Sequence, residues 1–420
     1  MAFSRPTASA MLGGFLEFYD FTLYGFLIKS IQTTFFPFLE SDWGLLNMYL
    51  VFGVGFFARP LGALVFGTVG DKYGRKVAFS ASLILMSVST LCMGILPGYE
   101  ILGIYAPILI IFSRLLQGIS AGGEYSGGMI FALEHAKQNQ KGLTAGLVAS
   151  GCMLGIVFAS VTAYFLQKCD LSVEFWRFAF IFGFVVSLVG IYVRLQLLET
   201  NDFLMQASKK SQWPVVLKQN YRLLLFLICI TGFNGVVLYS NTFCMSLVFK
   251  KMSEVSPGWM VLCQNMNSLF LAISLICLGW VSDRVDKIQL MMIGIVGTIV
   301  WLAIFYALAS KLEFSPALLL VCQITLALVF SVFSSPMNSF LVGLFKTNQR
   351  ARCFSLGYNV GMGFLGGSAP FLTHFLMGIH VNLFLGYLFV LGILSIAGLF
   401  VLQSKGYDAS SKRIGFTFVA

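Results

Sequence analysis

The run Gly13-Gly14-Phe15-Leu16-Glu17-Phe18-Tyr19-Asp20-Phe21-Thr22-Leu23-Tyr24-Gly25-Phe26 constrains everything around it. It belongs to an apolar stretch long enough to cross a bilayer, yet it holds two carboxylates, Glu17 and Asp20. A charged residue at the centre of a membrane helix costs about 2.5–3.5 kcal/mol on insertion scales. A chain that places two there must pair them, protonate them or wet them, and its other residues have to supply the means.

The alternative, a soluble fold, is excluded by composition. Hydrophobic residues make up 58% of the chain and charged residues 10%, with 43 phenylalanines and 42 glycines. Apolar runs of about 20 residues recur along the whole length, as an all-α membrane protein requires. Twelve are expected, at roughly 8–33, 45–69, 77–96, 102–133, 143–167, 175–198, 219–249, 257–281, 289–309, 315–345, 352–377 and 383–403. The connections are too short for an appended enzyme module, and no nucleophile–base pair stands out, so no enzyme activity is expected. The three histidines are far apart and the nine cysteines show no C-x-x-C spacing, so neither metal nor cofactor is expected.

The formal charge of +10 suggests nucleic acid until its placement is considered. With the N-terminus inside, the inner segments collect Arg5, Lys72, Arg75, Lys76, Lys137, Lys141, Arg194, Lys209, Lys210, Lys218, Arg222, Arg284, Lys287, Lys346, Arg350, Arg352, Lys405, Lys412 and Arg413. The outer loops hold only Lys168, Lys250, Lys251 and Lys311. That asymmetry is the positive-inside pattern, and it sets both termini in the cytoplasm. No nucleic-acid partner is expected. Met1–Thr7 reads as a short lead into the first helix rather than a cleaved signal.

The longest polar break, Glu199–Gln219, divides the spans six and six. The expected units are residues 1–198, a linker 199–218, residues 219–403 and a tail 404–420. After the second span comes Gly67-Thr-Val-Gly70-Asp71-Lys72-Tyr-Gly74-Arg75-Lys76; after the eighth comes Gly279-Trp-Val-Ser-Asp283-Arg284-Val-Asp286-Lys287. The fifth and eleventh spans are both glycine-rich. Weak parallel repetition of this kind marks secondary transporters, whose substrate site lies between the halves near the midplane. Gly67 and Gly74 allow a tight turn, and Asp71 with Arg75 can pair across the inner face, with Asp283 and Arg284 as the weaker copy. The expectation is a gate there; the plainer reading is a solvated basic turn.

Arg59-Pro60 lies about twelve residues before Asp71, roughly 18 Å deeper at 1.5 Å per residue. Arg114, Gln117 and Glu124 share one face of the fourth span, as Glu17, Asp20 and Tyr24 share one face of the first. On this count three deep acids face two deep guanidiniums, Arg59 and Arg114, and the acid left over is a natural proton carrier. A structural ion-pair network is the alternative for part of the set. Glu17, Asp20 and Glu124 are the candidate proton-coupling set; Arg59 and Arg114 are candidates to meet a substrate carboxylate by bidentate hydrogen bonds, with Tyr24 and Gln117 as further substrate-binding candidates. The second half carries no deep acid. Its deep polar residues are amides and hydroxyls, among them Asn234 and Asn359, which suit hydrogen bonding to substrate or helix–helix contact.

These motifs resemble the metabolite:proton symporters of the major facilitator superfamily, the group of proline/betaine and α-ketoglutarate transporters. The resemblance rests on Glu17-Phe-Tyr-Asp20-Phe, Arg59-Pro60-x-Gly62-Ala63-x-x-Phe66-Gly67-x-x-Gly70-Asp71, Arg114-x-x-Gln117-Gly118-x-x-x-Gly122-Gly123-Glu124, Trp176-Arg177 and Ser355-Leu356-Gly357-Tyr358-Asn359. It implies twelve helices in two six-helix bundles, and a monomer importing a small organic metabolite with a proton by alternating access in a bacterial inner membrane. An exporter of drugs or siderophores on the same fold is the alternative. The sequence departs from the family pattern at Gly14, Phe18, Ala179 and Lys346, and the drift is greatest in the second half.

Overall fold

Three helix starts follow from local sequence. The side chains of Ser4, Ser256 and Ser315 accept hydrogen bonds from the backbone N–H groups of Thr7, Trp259 and Leu318 at 3.4, 3.3 and 3.3 Å. A proline occupies the first turn of each, where its missing N–H costs nothing. The computed structural model describes residues 4–38, 42–168, 174–205, 213–244, 256–309, 315–404 and 406. Lys209, Lys210, the outer lysines Lys250, Lys251 and Lys311, and the tail bases Lys405, Lys412 and Arg413 lie outside the described residues.

The chain forms twelve long helices. The first six are α1 (Arg5–Phe26), α2 (Asp42–Lys72), α3 (Arg75–Ile95), α4 (Tyr105–His135), α5 (Lys141–Lys168) and α6 (Arg177–Leu195). After them come α7 (Trp213–Tyr239), α8 (Pro257–Ser282), α9 (Lys287–Ala309) and α10 (Pro316–Gly343). The helix α11 runs from Thr347 to Ile379 through a π-helical stretch at Gly361–Gly366, and α12 is Val381–Ser404. A break at Leu27 separates α1 from a short continuation, Ile28–Phe35. The described part of the seventh helix begins at Trp213, whose indole N–H donates to Thr68 of α2 at 2.8 Å.

Among the described residues, ten helices are apolar and long enough to cross a membrane, and α1 and α11 are the two exceptions. The first loses hydropathy to Glu17 and Asp20. The other opens on Thr347-Asn-Gln-Arg-Ala-Arg352 and is interrupted by its π turn. Both helices reach the boundary between the halves or the charges beside it.

Packing groups α1–α6 together and α7–α12 together, and the groups meet chiefly through α2 against α11 and α5 against α8. The second helix of each half therefore faces the fifth of the other, a two-fold arrangement. Within the first half, α2 crosses α4 at almost no distance. A Cβ on Gly122 would run into the Arg59 carbonyl, and one on Gly62 into the Ile119 carbonyl. That crossing fixes Arg59 beside α4.

Candidate functional site

Glu17, Asp20 and Glu124 are each met by a side chain from a different helix. On α1, Glu17 Oε1 accepts from Arg59 Nη2 of α2 at 2.6 Å, with both side chains 1% exposed. The same guanidinium donates through Nε to Asn359 Oδ1 of α11 at 3.2 Å. Asn359 in turn donates to the Gly122 carbonyl of α4 at 2.8 Å. Glu17, Arg59 and Asn359 thus form one chain that crosses from the first half to the second. Glu17 Oε2 has no protein partner among the described residues.

Glu124 lies apart from this chain. Its carboxylate pairs in two-oxygen fashion with Arg194 of α6, Oε2 at 2.9 Å, and also accepts from Ser82 at 2.8 Å. The Arg194 guanidinium lies over the Phe79 ring, 3.4 Å from its centroid, and donates to the Phe79 carbonyl. Sequence reasoning places Arg194 among the cytoplasmic bases; the structure buries it at 1% exposure. The count of three acids against two guanidiniums is corrected to three against three. The signal was present: Gly183, Ser187, Gly190 and Arg194 share one face of α6, and all four are buried.

The third acid has no arginine bonded to it. Asp20 Oδ2 accepts from Thr90 of α3 at 2.7 Å, and Oδ1 has no partner among the described residues. Thr90 also accepts, at 3.4 Å, from Gln117 Nε2 of α4, whose Oε1 accepts from Arg114 Nη1. Asp20, Thr90, Gln117 and Arg114 are therefore joined in a relay, all four fully buried. Arg114 acts on Asp20 electrostatically without touching it. Neither makes a direct ion pair among the described residues; two neutral side chains link them.

The amides expected in the second half face the same interior. Asn338 Nδ2 donates to Tyr125 of the first half at 2.9 Å, and Tyr125 stacks on Tyr358 at 5.0 Å between centroids. Asn234 is 3.7 Å from Met362 Sδ, and its Oδ1 has no partner. The carbonyl oxygens of Asn241, Asn265, Asn267, Gln323 and Asn338 also lack partners among the described residues. Tyr24, expected to bind substrate, has a buried and unpartnered hydroxyl.

At the loop face between α2 and α3, Asp71 is buried and accepts four hydrogen bonds. Arg75 Nη1 reaches Oδ1 at 2.7 Å and the Ala351 N–H reaches it at 3.3 Å. The Arg352 N–H and Nε meet Oδ2 at 3.1 and 2.9 Å. An acid at the start of α11 also complements that helix's dipole. Arg75 continues across to the Thr347 carbonyl at 2.5 Å. Glu134 is a second hub, meeting Arg75 at 3.4 Å, Arg350 at 2.8 Å and Thr200 at 2.7 Å. Gly74 takes φ 118 where α2 turns into α3, and a Cβ there would strike the Glu199 carboxylate. Gly67 lies against the α11 backbone at Arg352.

The weaker copy differs in detail. Asp283 accepts from the Gly142 and Leu143 N–H groups at 2.6 and 2.9 Å, in the first turn of α5, whereas the N–H groups that Asp71 meets lie one turn into α11. Arg284 turns back over Trp280, 3.3 Å from its ring centroid, and makes no bridge between halves among the described residues. Sequence reasoning reads Arg350 and Arg352 only as inner-segment bases. Each belongs to the network because spatial neighbours, not sequence neighbours, assemble it.

A family model described as Major Facilitator Superfamily matches residues 10–367. A putative proline/betaine transporter of Staphylococcus haemolyticus is 27% identical over 96% of this chain and 87% of its own length. A glycine betaine/proline/ectoine/pipecolic acid transporter of Dickeya dadantii is 28% identical over 95% of this chain and 83% of its own. The proline/betaine transporter of Escherichia coli is 28% identical over 93% and 82%. Among solved structures, a proton:xylose symporter bound to 6-bromo-6-deoxy-D-glucose superposes with a TM-score of 0.79, covering 97% of this chain and 96% of that one at 14% identity.

Proposed function

The chain belongs to the major facilitator superfamily, a multi-pass membrane transporter, and from that premise we propose that it imports a small organic metabolite together with a proton by alternating access. The observation that carries the reading is the line Glu17–Arg59–Asn359, a buried charge pair bonded across the two halves at the depth where such transporters hold substrate. A substrate bound beside this line touches both halves at once. Asp20 is the proton carrier in this reading, because protonating it breaks no arginine pair. Glu124 is assigned a structural part, since it is committed to Arg194 and Ser82.

The gate is formed by Asp71, Arg75, Glu134, Arg350 and Arg352, and it is engaged in this structure. With both termini in the cytoplasm of a bacterial cell, as the positive-inside pattern has it, this is the inward gate closed. The expected units, residues 1–198 and 219–403, would then rock about α2–α11 and α5–α8.

The substrate is a carboxylate, betaine or amino acid; three relatives are named for proline, betaine or both, and none exceeds 28% identity. The test is uptake of such a panel, with proline and glycine betaine included, into oriented proteoliposomes under an imposed proton gradient. Import is expected to rise with an outside-acid gradient and collapse when it is dissipated. Efflux driven by the same gradient would favour an exporter instead.

A further inference from the structure

Arg114 stands in an aromatic cage. Its guanidinium carbon lies 4.1 Å from the ring centroid of Phe21, 4.5 Å from that of Tyr24 and 5.0 Å from that of Phe52. Several aromatic faces within about 6 Å of one cation is the arrangement proteins use to recognise alkylated ammonium ligands. Here the cation belongs to the protein itself.

Arg114 is also held differently from the other buried arginines. Arg59 and Arg194 each bond a carboxylate. Arg114 has the Gln117 carbonyl, a 3.5 Å contact to the Phe52 carbonyl, and no partner at all for Nε among the described residues. The Tyr24 hydroxyl beside it is buried and unpartnered as well. A buried charge without a counter-ion on the next side chain is costly. Besides Asp20, which acts on it without touching it, what stabilises it is a set of rings and neutral acceptors that would serve another cation as well.

The cage is not sealed inside the first half. Phe56 packs on Phe21 at 4.6 Å between centroids and on Tyr239 of α7 at 5.0 Å. The wall of the cage therefore forms part of the boundary between halves, through which a substrate would arrive.

We propose that Phe21, Tyr24 and Phe52 form the subsite for the cationic group of the substrate, and that Arg114 is its resident stand-in. The ligand class is a zwitterion whose alkylated ammonium and carboxylate are a few bonds apart. Its carboxylate draws the guanidinium out of the cage as a bidentate pair, and its ammonium fills the place between the rings. One cation replaces another, so the cage never stands uncompensated. A carboxylate alone leaves the rings without a cation. A cation alone must evict Arg114 with nothing to receive it. The inference rests on the transport reading for the site being a substrate site, but not on proton coupling.

The test is equilibrium binding to the purified full-length protein with no gradient, so failure of coupling and failure of the cage are separate results. The probes are glycine betaine, its uncharged-head analogue 3,3-dimethylbutyrate, and tetramethylammonium. Wild type is expected to bind glycine betaine at least tenfold more tightly than either of the others. In Arg114→Gln the order changes: glycine betaine weakens at least tenfold, and tetramethylammonium binding strengthens because the cage is open. Phe52→Leu, which keeps Arg114, should weaken glycine betaine at least tenfold. Equal binding of glycine betaine and 3,3-dimethylbutyrate by wild type overturns the proposal. So does a folded Arg114→Gln that gains no tetramethylammonium binding. If Arg114→Gln does not fold, unchanged glycine betaine affinity in Phe52→Leu overturns it alone.

Discussion

Glu124 and Asp20 are both carboxylates without solvent contact, 1% and 0% exposed, and their partners separate their roles. Glu124 has a two-oxygen arginine pair and a serine; Asp20 has one threonine and one oxygen left over. Removing one member of a buried ion pair leaves the other charge uncompensated, at a cost of about 3–5 kcal/mol. Glu124→Gln is therefore expected to destabilise the protein by about 3 kcal/mol, read as a lower midpoint in detergent unfolding, with Arg194 the residue left stranded. Equal stability of Glu124→Gln and wild type would show that the pair is not the structural tie it is taken for. The difference between the two acids was not legible in the sequence. Depth could be read from helix spacing, but Arg194 sits near the end of its span, where a base reads as a topology signal. Thr90 carries no charge and looks like any small helix residue until its hydroxyl is found on Asp20.

At the scale of the helices, the proposed gate rests on helix backbones meeting side chains. Asp71 accepts from backbone N–H groups one turn into α11, and Asp283 from those of the first turn of α5, so a carboxylate set against the backbone of a helix in the other half appears twice across the two-fold arrangement. The first copy is the stronger because two arginines also converge on Asp71. Asp71→Asn removes the negative charge from among Arg75, Arg352 and two backbone donors, and the gate is expected to open more often. The reporter is a disulfide between Ala136→Cys and Gly343→Cys, which line one cavity at the gate face. In a background without the nine native cysteines, its yield should fall severalfold on Asp71→Asn. An unchanged yield would count against the gate.

The glycine and acid spacing of this segment was readable in the chain, as were the twelve spans and the repeat. Glu134, Arg350 and Arg352 were not, because residues some 60 to 280 positions apart in sequence meet only once the helices pack. Arg284, which the repeat marks as a gate residue, instead lies on Trp280, its own helix neighbour.

At the scale of the whole molecule, the halves differ in chemistry as well as position. The first supplies the deep charges and the second supplies amides whose carbonyl oxygens lack partners among the described residues, and Arg59 with Asn359 is one of the bonds that join the halves. A transporter built this way couples proton to substrate only if one acid is free to change charge while the others hold the frame. Asp20 is that acid in this account. The direct test compares wild type with Asp20→Asn in proteoliposomes, measuring concentrative uptake under an outside-acid gradient and, separately, exchange of labelled for unlabelled substrate at equilibrium. The account predicts that Asp20→Asn loses proton-driven accumulation while exchange persists within about threefold, because the substrate path is intact. Accumulation against a gradient at the wild-type level in Asp20→Asn would contradict it.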